Sequence, residues 1–334
     1  MSELGIVIIG RNEGDRLVRC LRSTGTGTET VYVDSGSTDG SVAVARDSGA
    51  RIVELDMATP FTAARARNAG RAALSTGCTL VQFVDGDCVL QPGWLEAATE
   101  ALQADDGLAA VFGRRREVAP QASRYNWMCD VEWAVPPGPA RYFGGDVMLR
   151  AAALDQAGGY PDEMIAGEEP DLAMRLRRRG WRIACLPVEM TLHDAAIARF
   201  GQWWRRATRS GHAYAELAAR HRGGEFSDYA RRIRGVMLWG AILPIAGGVA
   251  ILMGAAAGRP WIAAAGGVLL CLPLAQFARL AIREGRRRPP REALTIAAFL
   301  MLAKPAQALG AARYWLARTR GRRSTIIEYK GEPA

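Results

Sequence analysis

Two apolar stretches near the carboxyl end place the strongest constraint on how this chain can fold. GVMLWGAILPIAGGVAILMGAAAG begins at residue 235, and WIAAAGGVLLCLPLAQFARLAI begins at residue 261. Each approaches the roughly 20 apolar residues that a helix needs to cross a bilayer. Buried core helices are the alternative, but the low charge and the short GRP turn favour a membrane hairpin with spans at about 235–257 and 261–282.

Basic residues flank this hairpin. The chain has 43 basic residues and a formal net charge of +9, and the run RRIRG precedes the first stretch while REGRRRPPR follows the second. Such a charge could serve nucleic acid, an anionic membrane or phosphorylated substrates, and its position beside apolar stretches favours the last two. Because basic loops stay in the cytoplasm, the sequence predicts an integral protein of the cytoplasmic (inner) membrane with both hairpin ends inside.

A third apolar segment, at about 293–316, carries Lys304 and Pro305 in its middle and is followed by RTRGRR. If it crossed the bilayer, those arginines would lie outside, so a helix in the cytoplasmic interface is predicted instead. Residues 317–334 would then form a basic cytoplasmic tail, and the hairpin and third helix together would make a membrane region over 235–316.

An amphipathic linker is predicted at 201–234. FGQWWRRATRSGHAY places Arg205 and Arg209 on one helical face, with Trp203 and Trp204 beside them. The arginines could bind lipid phosphates or a donor diphosphate, with the tryptophans at headgroup level. A linker that binds no ligand is the alternative.

Residues 1–200 alternate short apolar runs with amphipathic helical patterns. LGIVIIG, ETVYVD, RIVELD and TLVQFVD are typical of strands, and helical patterns separate them. This order predicts an α/β fold with a doubly wound, mostly parallel sheet and flanking helices. Ligands of such sheets bind beyond the carboxyl ends of the strands, where this chain places its polar clusters.

The six cysteines form no CxxC pair and no zinc spacing, which indicates reduced thiols in a cytosolic compartment. The amino-terminal sequence MSELGIVIIG also lacks the basic and apolar regions of a cleavable signal peptide.

VQFVDGD places two carboxylates at the end of an apolar strand. Asp85 and Asp87 point to the same side of an extended chain and would repel each other unless a cation lay between them or one of them took up a proton. Mg²⁺ or Mn²⁺ would fit, since these ions bind carboxylates together with substrate phosphates. A polar turn after a strand is the alternative.

Two further segments suit a nucleotide. VDSGSTDGS supplies carboxylates and hydroxyls between a strand and a helix, and RARNAGR supplies guanidinium groups that donate in pairs to phosphates. Helix capping and a solvated helix face are the respective alternatives. The predicted donor-binding residues of the first 85 positions are Asn12, Glu13, Asp34, Ser35, Asp39, Arg65, Asn68 and Asp85.

GEEPDLAMRLRRRGW crowds three carboxylates at the start of a helix and basic residues at its end. This order suits the helix dipole. Three carboxylates exceed what capping needs, however, so one of them could act as a general base toward an acceptor hydroxyl.

Taken together, these motifs resemble the inverting glycosyltransferases of family 2, which have the GT-A fold. The likeness runs from residue 5 to about residue 215: VDSGSTDGS resembles the nucleotide loop, VDGD the DxD metal motif, and GEEPDLAMRLRRRGW the acidic segment with its DLxxRLxxxGW continuation. Each motif is weakly specific, but three in the family's order are strongly so.

The resemblance implies a role for particular residues. Asp85 and Asp87 would handle a divalent ion on the donor diphosphate, with Asp87 the direct ligand. Glu169 falls at the family's base position, where glutamate replaces the usual aspartate, so Glu168 stays an alternative.

His193 could add to the metal or diphosphate, or be structural. Asp146 and Trp181 are expected on the acceptor side.

The sequence therefore predicts a metal-dependent glycosyltransferase that uses a nucleotide-sugar donor, UDP being the family's commonest nucleotide. The acceptor would be lipid-linked or membrane-proximal. A sugar nucleotidyltransferase and a non-catalytic membrane-bound sugar-nucleotide sensor or scaffold are the alternatives. A nucleic-acid partner is not expected, because no recognition motif is found.

Overall fold

A computed structural model of the chain describes residues 3–221, 223 and 227–321. The residues divide into two compact units, one ending at Ala198 and the other beginning at Arg199.

The first half of the first unit is a parallel α/β layer. Its strands are β1 (Leu4–Gly10), β2 (Glu29–Asp34), β3 (Arg51–Glu54) and β4 (Leu80–Asp85), and its helices are α1 (Asp15–Ser23), α2 (Ser41–Asp47) and α3 (Ala63–Ala73). Every pairing among these four strands is parallel. Helices cover both faces of such a layer, which is why residues such as Ile6, Val7 and Ile8 are all fully buried. The predicted alternation of strands and helices is confirmed.

The second half extends this sheet with strands of both directions. Its elements are β5 (Cys88–Leu90), α4 (Trp94–Ala104), β6 (Leu108–Glu117), α5 (Arg124–Trp133), β7 (Gly138–Pro139), β8 (Val147–Arg150), α6 (Ala151–Ala157), α7 (Glu168–Arg178) and β9 (Arg182–His193). The strand order is β3-β2-β1-β4-β8-β6-β9-β5, and β7 pairs with β9. Strand β8 is antiparallel to both β4 and β6. The doubly wound α/β class is thus confirmed, with its parallel pairs concentrated in the first four strands.

One close approach between helix and sheet positions the charged residues described below. A methyl group on Gly70 would lie 2.2 Å from Cγ1 of Val7, so only a hydrogen atom fits between α3 and β1. This contact holds α3 tightly against the sheet and places Arg67, one turn earlier, beside the carboxyl end of β4.

The second unit is helical. It contains α8 (Phe200–Arg220), α9 (Asp228–Met237), a π-helical turn at Leu238–Ile242, α10 (Leu243–Ala256), α11 (Pro260–Gly285) and α12 (Pro290–Thr319). Three helical stretches, 228–256, 260–285 and 290–319, are long and apolar enough to cross a membrane. Large apolar side chains such as Leu252, Trp261 and Leu274 are more than 60% exposed on them. Residues 322–334 of the predicted basic tail lie outside the described residues.

Glycines set the helix contacts within this unit. A methyl group on Gly247 would meet Leu270 at 2.8 Å, and one on Gly254 would meet the Ala263 nitrogen at 2.4 Å. The first two apolar helices therefore pack backbone against backbone as a hairpin. A methyl on Gly310 would lie 1.9 Å from the Thr208 carbonyl oxygen, so α12 crosses α8 equally closely.

Trp203 lies inside this unit rather than on its surface. It is only 4% exposed, and its ring packs edge-on against Phe299 at 5.1 Å between centroids. Trp204 is half-buried. Of the two tryptophans predicted at headgroup level, Trp203 is thus part of the contact between α8 and α12.

Candidate active site

A fully buried arginine joins the VDGD motif to the acidic start of α7. Arg67 donates to Oδ1 of Asp85 at 2.9 Å and to Oε1 of Glu168 at 3.0 Å. Its Nη1 also lies 3.5 Å from Oε1 of Glu169. The Tyr160 ring covers the guanidinium at 5.5 Å. Three carboxylates that are distant in sequence therefore share one cation, whose pKa they raise even though burial opposes the charge.

A second arginine lies on the other side of Asp85. Nη2 of Arg115 is 3.6 Å from Oδ2 of Asp85 and 2.7 Å from Oδ2 of Asp146. The carboxylate of Asp146 accepts hydrogen bonds from the Asp85 backbone nitrogen at 3.0 Å and from the Thr191 hydroxyl at 2.7 Å. Asp146, predicted on the acceptor side, is thus buried behind Asp85 and anchors it.

Asp87 points to a different group of residues. Its Oδ2 lies 3.3 Å from Nε2 of His193, and its Oδ1 lies 3.6 Å from the Cys88 sulfur. All three side chains are buried. Burial and the nearby Asp146 carboxylate raise the pKa of the Cys88 thiol.

The His193 ring is oriented from behind. Nδ1 of His193 lies 3.8 Å from Oε2 of Glu117, and the Trp133 ring packs edge-on at 4.6 Å. Glu117 is itself fixed by hydrogen bonds from the Ala195 nitrogen at 3.0 Å and the Asn126 amide at 3.1 Å. A carboxylate behind a histidine is typical of metal ligands, because it holds the free ring nitrogen in place.

The residues around Asp87 fit a divalent ion. Asp87, Cys88 and His193 each offer one ligand atom, and these atoms lie within 4.8 Å of one another. Asp85 already faces two guanidinium groups, whereas Asp87 lies against a thiol and an imidazole. Asp87 and His193, both predicted as metal ligands, therefore make the better centre for a cation, and Asp85 is the better anchor for the arginines.

The two glutamates of α7 differ in exposure. The Glu168 side chain is 3% exposed, whereas that of Glu169 is 18% exposed. Burial and the Glu168 carboxylate raise the pKa of Glu169 to about 7, although Arg67 acts in the opposite direction. Glu169 thus titrates near neutral pH and retains access to solvent, as a general base requires.

The predicted nucleotide loop satisfies its own polar groups. Oδ2 of Asp34 accepts from the Gly36 nitrogen at 2.9 Å and from the Ser37 nitrogen at 2.8 Å, and Oδ1 accepts from the Tyr32 hydroxyl at 3.0 Å. Asp39 accepts from the Ser41 nitrogen at 2.9 Å at the start of α2. Asp39 thus accepts from the first residue of α2, whereas Gly40, directly before the helix, provides no side-chain cap.

The loop after β1 docks on the loop after β2. Asn12 adopts a left-handed backbone conformation, with φ of 55°. Its nitrogen donates to the Ser37 hydroxyl at 2.9 Å, and its side-chain oxygen accepts from the Thr38 nitrogen at 2.7 Å. Glu13 pairs with Arg16 at 3.0 Å, and the buried Ser35 donates its backbone nitrogen to the Gly10 carbonyl oxygen at 3.0 Å.

The other predicted residues of the first unit make contacts of their own. Arg65 donates to the carbonyl oxygens of Thr59 at 2.7 Å and Asp56 at 2.9 Å, and so braces the loop before α3. Asn68 holds the Tyr160 segment through its amide, at 2.7 Å from the carbonyl oxygen of Tyr160. Trp181, just after α7, donates to the Gln156 side chain at 3.3 Å. Arg205 and Arg209 belong to α8 in the second unit.

Sequence reasoning missed three residues of this site, Arg115, Glu117 and Cys88, and it offered Arg67 only as one of the arginines of RARNAGR that could lie near the crevice. The sequence did contain a signal for one of these residues, Arg115. In the strand end FGRRRE, alternation puts Arg115 on the face opposite its two arginine neighbours. The pairing of both Cys88 and Glu117 with His193 is visible only in the strand register.

Comparison with known proteins agrees with this geometry. The family described as Glycosyl transferase family 2 matches residues 5–144. The pre-mycofactocin glycosyltransferase of Mycobacterium tuberculosis is 29% identical over 233 residues, which are 66% of this chain and 48% of that protein. The chain thus spans about half the length of that relative. An uncharacterised glycosyltransferase of the same organism is 27% identical over 195 residues, 55% of this chain and 83% of that protein.

Among solved structures, the mannosyltransferase PcManGT from Pyrobaculum calidifontis, in complex with GDP-mannose and Mn²⁺, superposes with a TM-score of 0.58. The sequences are 18% identical, and the match covers 92% of this chain and 87% of that one. At this identity the likeness concerns the fold, which is the GT-A fold followed by apolar helices.

Proposed function

We propose that this chain, whose residues 5–144 match Glycosyl transferase family 2, is an inverting, metal-dependent glycosyltransferase that uses a nucleoside diphosphate sugar. The acceptor in this proposal is a hydroxyl group of a lipid-linked or otherwise membrane-proximal molecule. The observation that carries the proposal is the buried ion-pair cluster in which Arg67 joins Asp85 to Glu168 and Glu169.

Glu169 is the general base of this proposal. Its pKa of about 7 leaves a substantial ionised fraction at neutral pH, and its side chain is the more exposed of the two glutamates. The carboxylate removes the proton of the acceptor hydroxyl, whose oxygen attacks the anomeric carbon from the face opposite the departing diphosphate. Configuration inverts, and no covalent intermediate forms. Glu168, held by Arg67, keeps the helix start and the base in position.

Asp87 and His193 would hold a divalent ion, Mn²⁺ or Mg²⁺, which neutralises charge on the leaving diphosphate. The Mn²⁺ bound in the Pyrobaculum mannosyltransferase supports this choice. Its GDP-mannose also widens the donor candidates from UDP to GDP sugars. Asp85 is kept in place by Arg67 and Arg115 on either side, so its carboxylate faces the donor in one fixed orientation.

The proposed membrane arrangement has two spans, with the third helix in the cytoplasmic interface. A methyl group on Gly240 would lie 2.2 Å from the Lys304 carbonyl oxygen, so the middle of α12 packs closely against the π-helical turn. The arginines that flank the hairpin support a cytoplasmic orientation of both its ends.

The test is donor turnover by the detergent-solubilised chain with added membrane lipids. UDP and GDP sugars are supplied with Mn²⁺, with Mg²⁺ or with EDTA, and release of the nucleoside diphosphate is measured. We expect metal-dependent turnover with one donor class, and a loss of about 10³-fold or more in Asp87→Ala and Glu169→Gln.

Asp106→Asn is the matched control, because its carboxylate is 99% exposed and lies outside the cluster. It should keep full turnover. Donor binding that survives both EDTA and Asp87→Ala, with no turnover under any condition, would instead identify a sugar-nucleotide sensor. Formation of a nucleotide sugar from a sugar phosphate would identify a nucleotidyltransferase.

A further inference from the structure

The residue that follows the VDGD motif offers sulfur to the cation site. Cys88 is the first residue of β5 and lies directly opposite His193 on β9. Side chains of directly opposed residues stand on the same face of a sheet, with Cβ atoms about 4.5–5.5 Å apart. The backbone register therefore directs the thiol and the imidazole to the same side, independently of any side-chain rotamer.

The donor atoms lie close enough together to share one small ion, because one ligand atom from each of Asp87, Cys88 and His193 lies within 4.8 Å of the others. Asp87 Oδ2 lies 3.3 Å from His193 Nε2, and Asp87 Oδ1 lies 3.6 Å from the Cys88 sulfur. Ligands bound to zinc at its usual distances of about 2.0–2.3 Å are separated by about 3.3–3.8 Å around a tetrahedron. Carboxylate, imidazole and thiolate are also the three ligand types that zinc takes in proteins.

We propose that Cys88 is a soft third ligand that lets Asp87, Cys88 and His193 capture Zn²⁺ or Cd²⁺ in place of the oxygen-preferring Mn²⁺ or Mg²⁺. The proposal rests on the proposed metal-dependent function and extends it to metal selectivity. Thiolate sulfur favours zinc-group ions, whereas Mg²⁺ and Mn²⁺ favour carboxylate and water. On binding, the cation replaces the thiol proton, which leaves to solvent. Three protein ligands leave a fourth position open for a phosphate oxygen.

The consequence is competition between metals at one site. Mn²⁺ or Mg²⁺ is held by Asp87 and His193 alone, while Zn²⁺ gains the sulfur contact. Zinc would therefore compete with the working ion for this site.

The test reads metal–sulfur bonding directly, without turnover. The full chain carries Cys271→Ser throughout, because that thiol is exposed. Cd²⁺ is titrated without nucleotide, and the sulfur-to-cadmium charge-transfer absorption is followed in this background, in added Cys88→Ser and in added Cys185→Ser. Cys185 is the matched control, a buried thiol eight residues before His193 in the same strand.

We expect one equivalent of the band in the background and in Cys185→Ser, and none in Cys88→Ser. The ratio of Zn²⁺ to Mn²⁺ affinity should fall about tenfold or more on loss of the sulfur. Absence of the band in the background, or its persistence in Cys88→Ser, would overturn the proposal and leave Cys88 a core residue.

A second measurement does not depend on whether the variant folds. X-ray absorption at the zinc edge of the Cys271→Ser chain, loaded with one equivalent, should show one sulfur neighbour at about 2.3 Å. A shell of nitrogen and oxygen alone would contradict the proposal. The two proposals fail separately: metal-dependent turnover without the sulfur signal refutes only the soft ligand, and the sulfur signal without turnover refutes only the proposed reaction.

Discussion

Two groups of carboxylates in the first unit are neutralised in different ways. Asp34 and Asp39, after β2, accept hydrogen bonds mainly from backbone nitrogens of their own and the adjoining loop. Asp85, Glu168 and Glu169 depend instead on the side chain of Arg67, which comes from a different helix.

The first group therefore belongs to a preformed loop, whereas the second is a cluster of charged side chains held together by one cation. Backbone hydrogen bonds hold the first loop in one shape, and they do not need to change when a ligand binds. The second group places three carboxylates around one guanidinium, so its protonation responds to any further charge that binds. The two groups should therefore differ in how they respond to mutation and to pH.

The largest effect should come from removing the shared cation. Arg67→Met leaves the buried Glu168 and the partly buried Asp85 and Glu169 without their shared cation, which costs about 3–5 kcal/mol of stability. Arg65→Met, on the same helix, removes only hydrogen bonds to loop carbonyls and should cost about 1 kcal/mol or less. Thermal unfolding followed by tryptophan fluorescence should show the Arg67 midpoint about 10 °C lower. Equal shifts of the midpoint in the two variants would show that the ion pairs of Arg67 contribute no special stability.

The next effect should come from the self-satisfied loop. Asp34→Ala leaves two backbone nitrogens and the Tyr32 hydroxyl without their acceptor and should cost about 2–3 kcal/mol. Asp39→Ala, at an exposed helix start, should cost about 1 kcal/mol. The same unfolding assay measures both. If Asp34→Ala and Asp39→Ala lowered the free energy of unfolding equally, the burial of Asp34 would make no contribution to stability.

A smaller effect should appear in the pH dependence of turnover. Because the base acts when ionised and the pKa of Glu169 is about 7, kcat/KM should rise about tenfold per unit below pH 7 and level off above it. Measuring kcat/KM from pH 5 to 9 tests this rise and the plateau that follows it. A flat profile in active wild-type enzyme would exclude Glu169 as the base.

The stability of the fold should fall as pH rises, in contrast to turnover. A carboxyl whose pKa is raised from 4.5 to about 7 by folding destabilises the fold when it ionises. The penalty grows from pH 4.5 to 7 and is complete above. Glu169→Gln should therefore raise the unfolding midpoint at pH 8 by a few degrees and leave it unchanged at pH 4. Stabilisation at both pH values would show a packing effect instead.

The smallest effect should come from Asn12→Gly. Glycine adopts the positive φ of this position freely, which offsets the lost hydrogen bond to Thr38. The net change in stability should stay within about 0.5 kcal/mol. Asn12→Ala has no such compensation and serves as the contrast, with a clearly lower midpoint.

The periodic parts of the fold could be predicted from the sequence because their signals are local. Strands β1 to β4 and the helices between them follow hydrophobic patterns, and the VDGD and GEEPD segments stand at element ends. Among the strands of the second half, β5, β7 and β8 give weaker signals, since strands of two to four residues carry little pattern.

The charged cluster could be predicted only in part. RARNAGR contains three arginines, and the helical pattern alone does not identify the one that faces the sheet; the close contact at Gly70 decides for Arg67. Asp146 was expected on the acceptor side because of the family resemblance. Its place behind Asp85 depends on the pairing of β4 with β8, which no local pattern reveals.

The glycine contacts of the second unit have a consequence for how sequence can vary there. In lipid, aliphatic side chains meet hydrocarbon whether helices are together or apart, so association depends on close packing of small residues. The outward residues Leu252 and Leu274 should then be interchangeable with other aliphatic residues. Gly247, Gly254 and Gly310 form the opposite category: positions at which a single added methyl group would force two helix backbones apart.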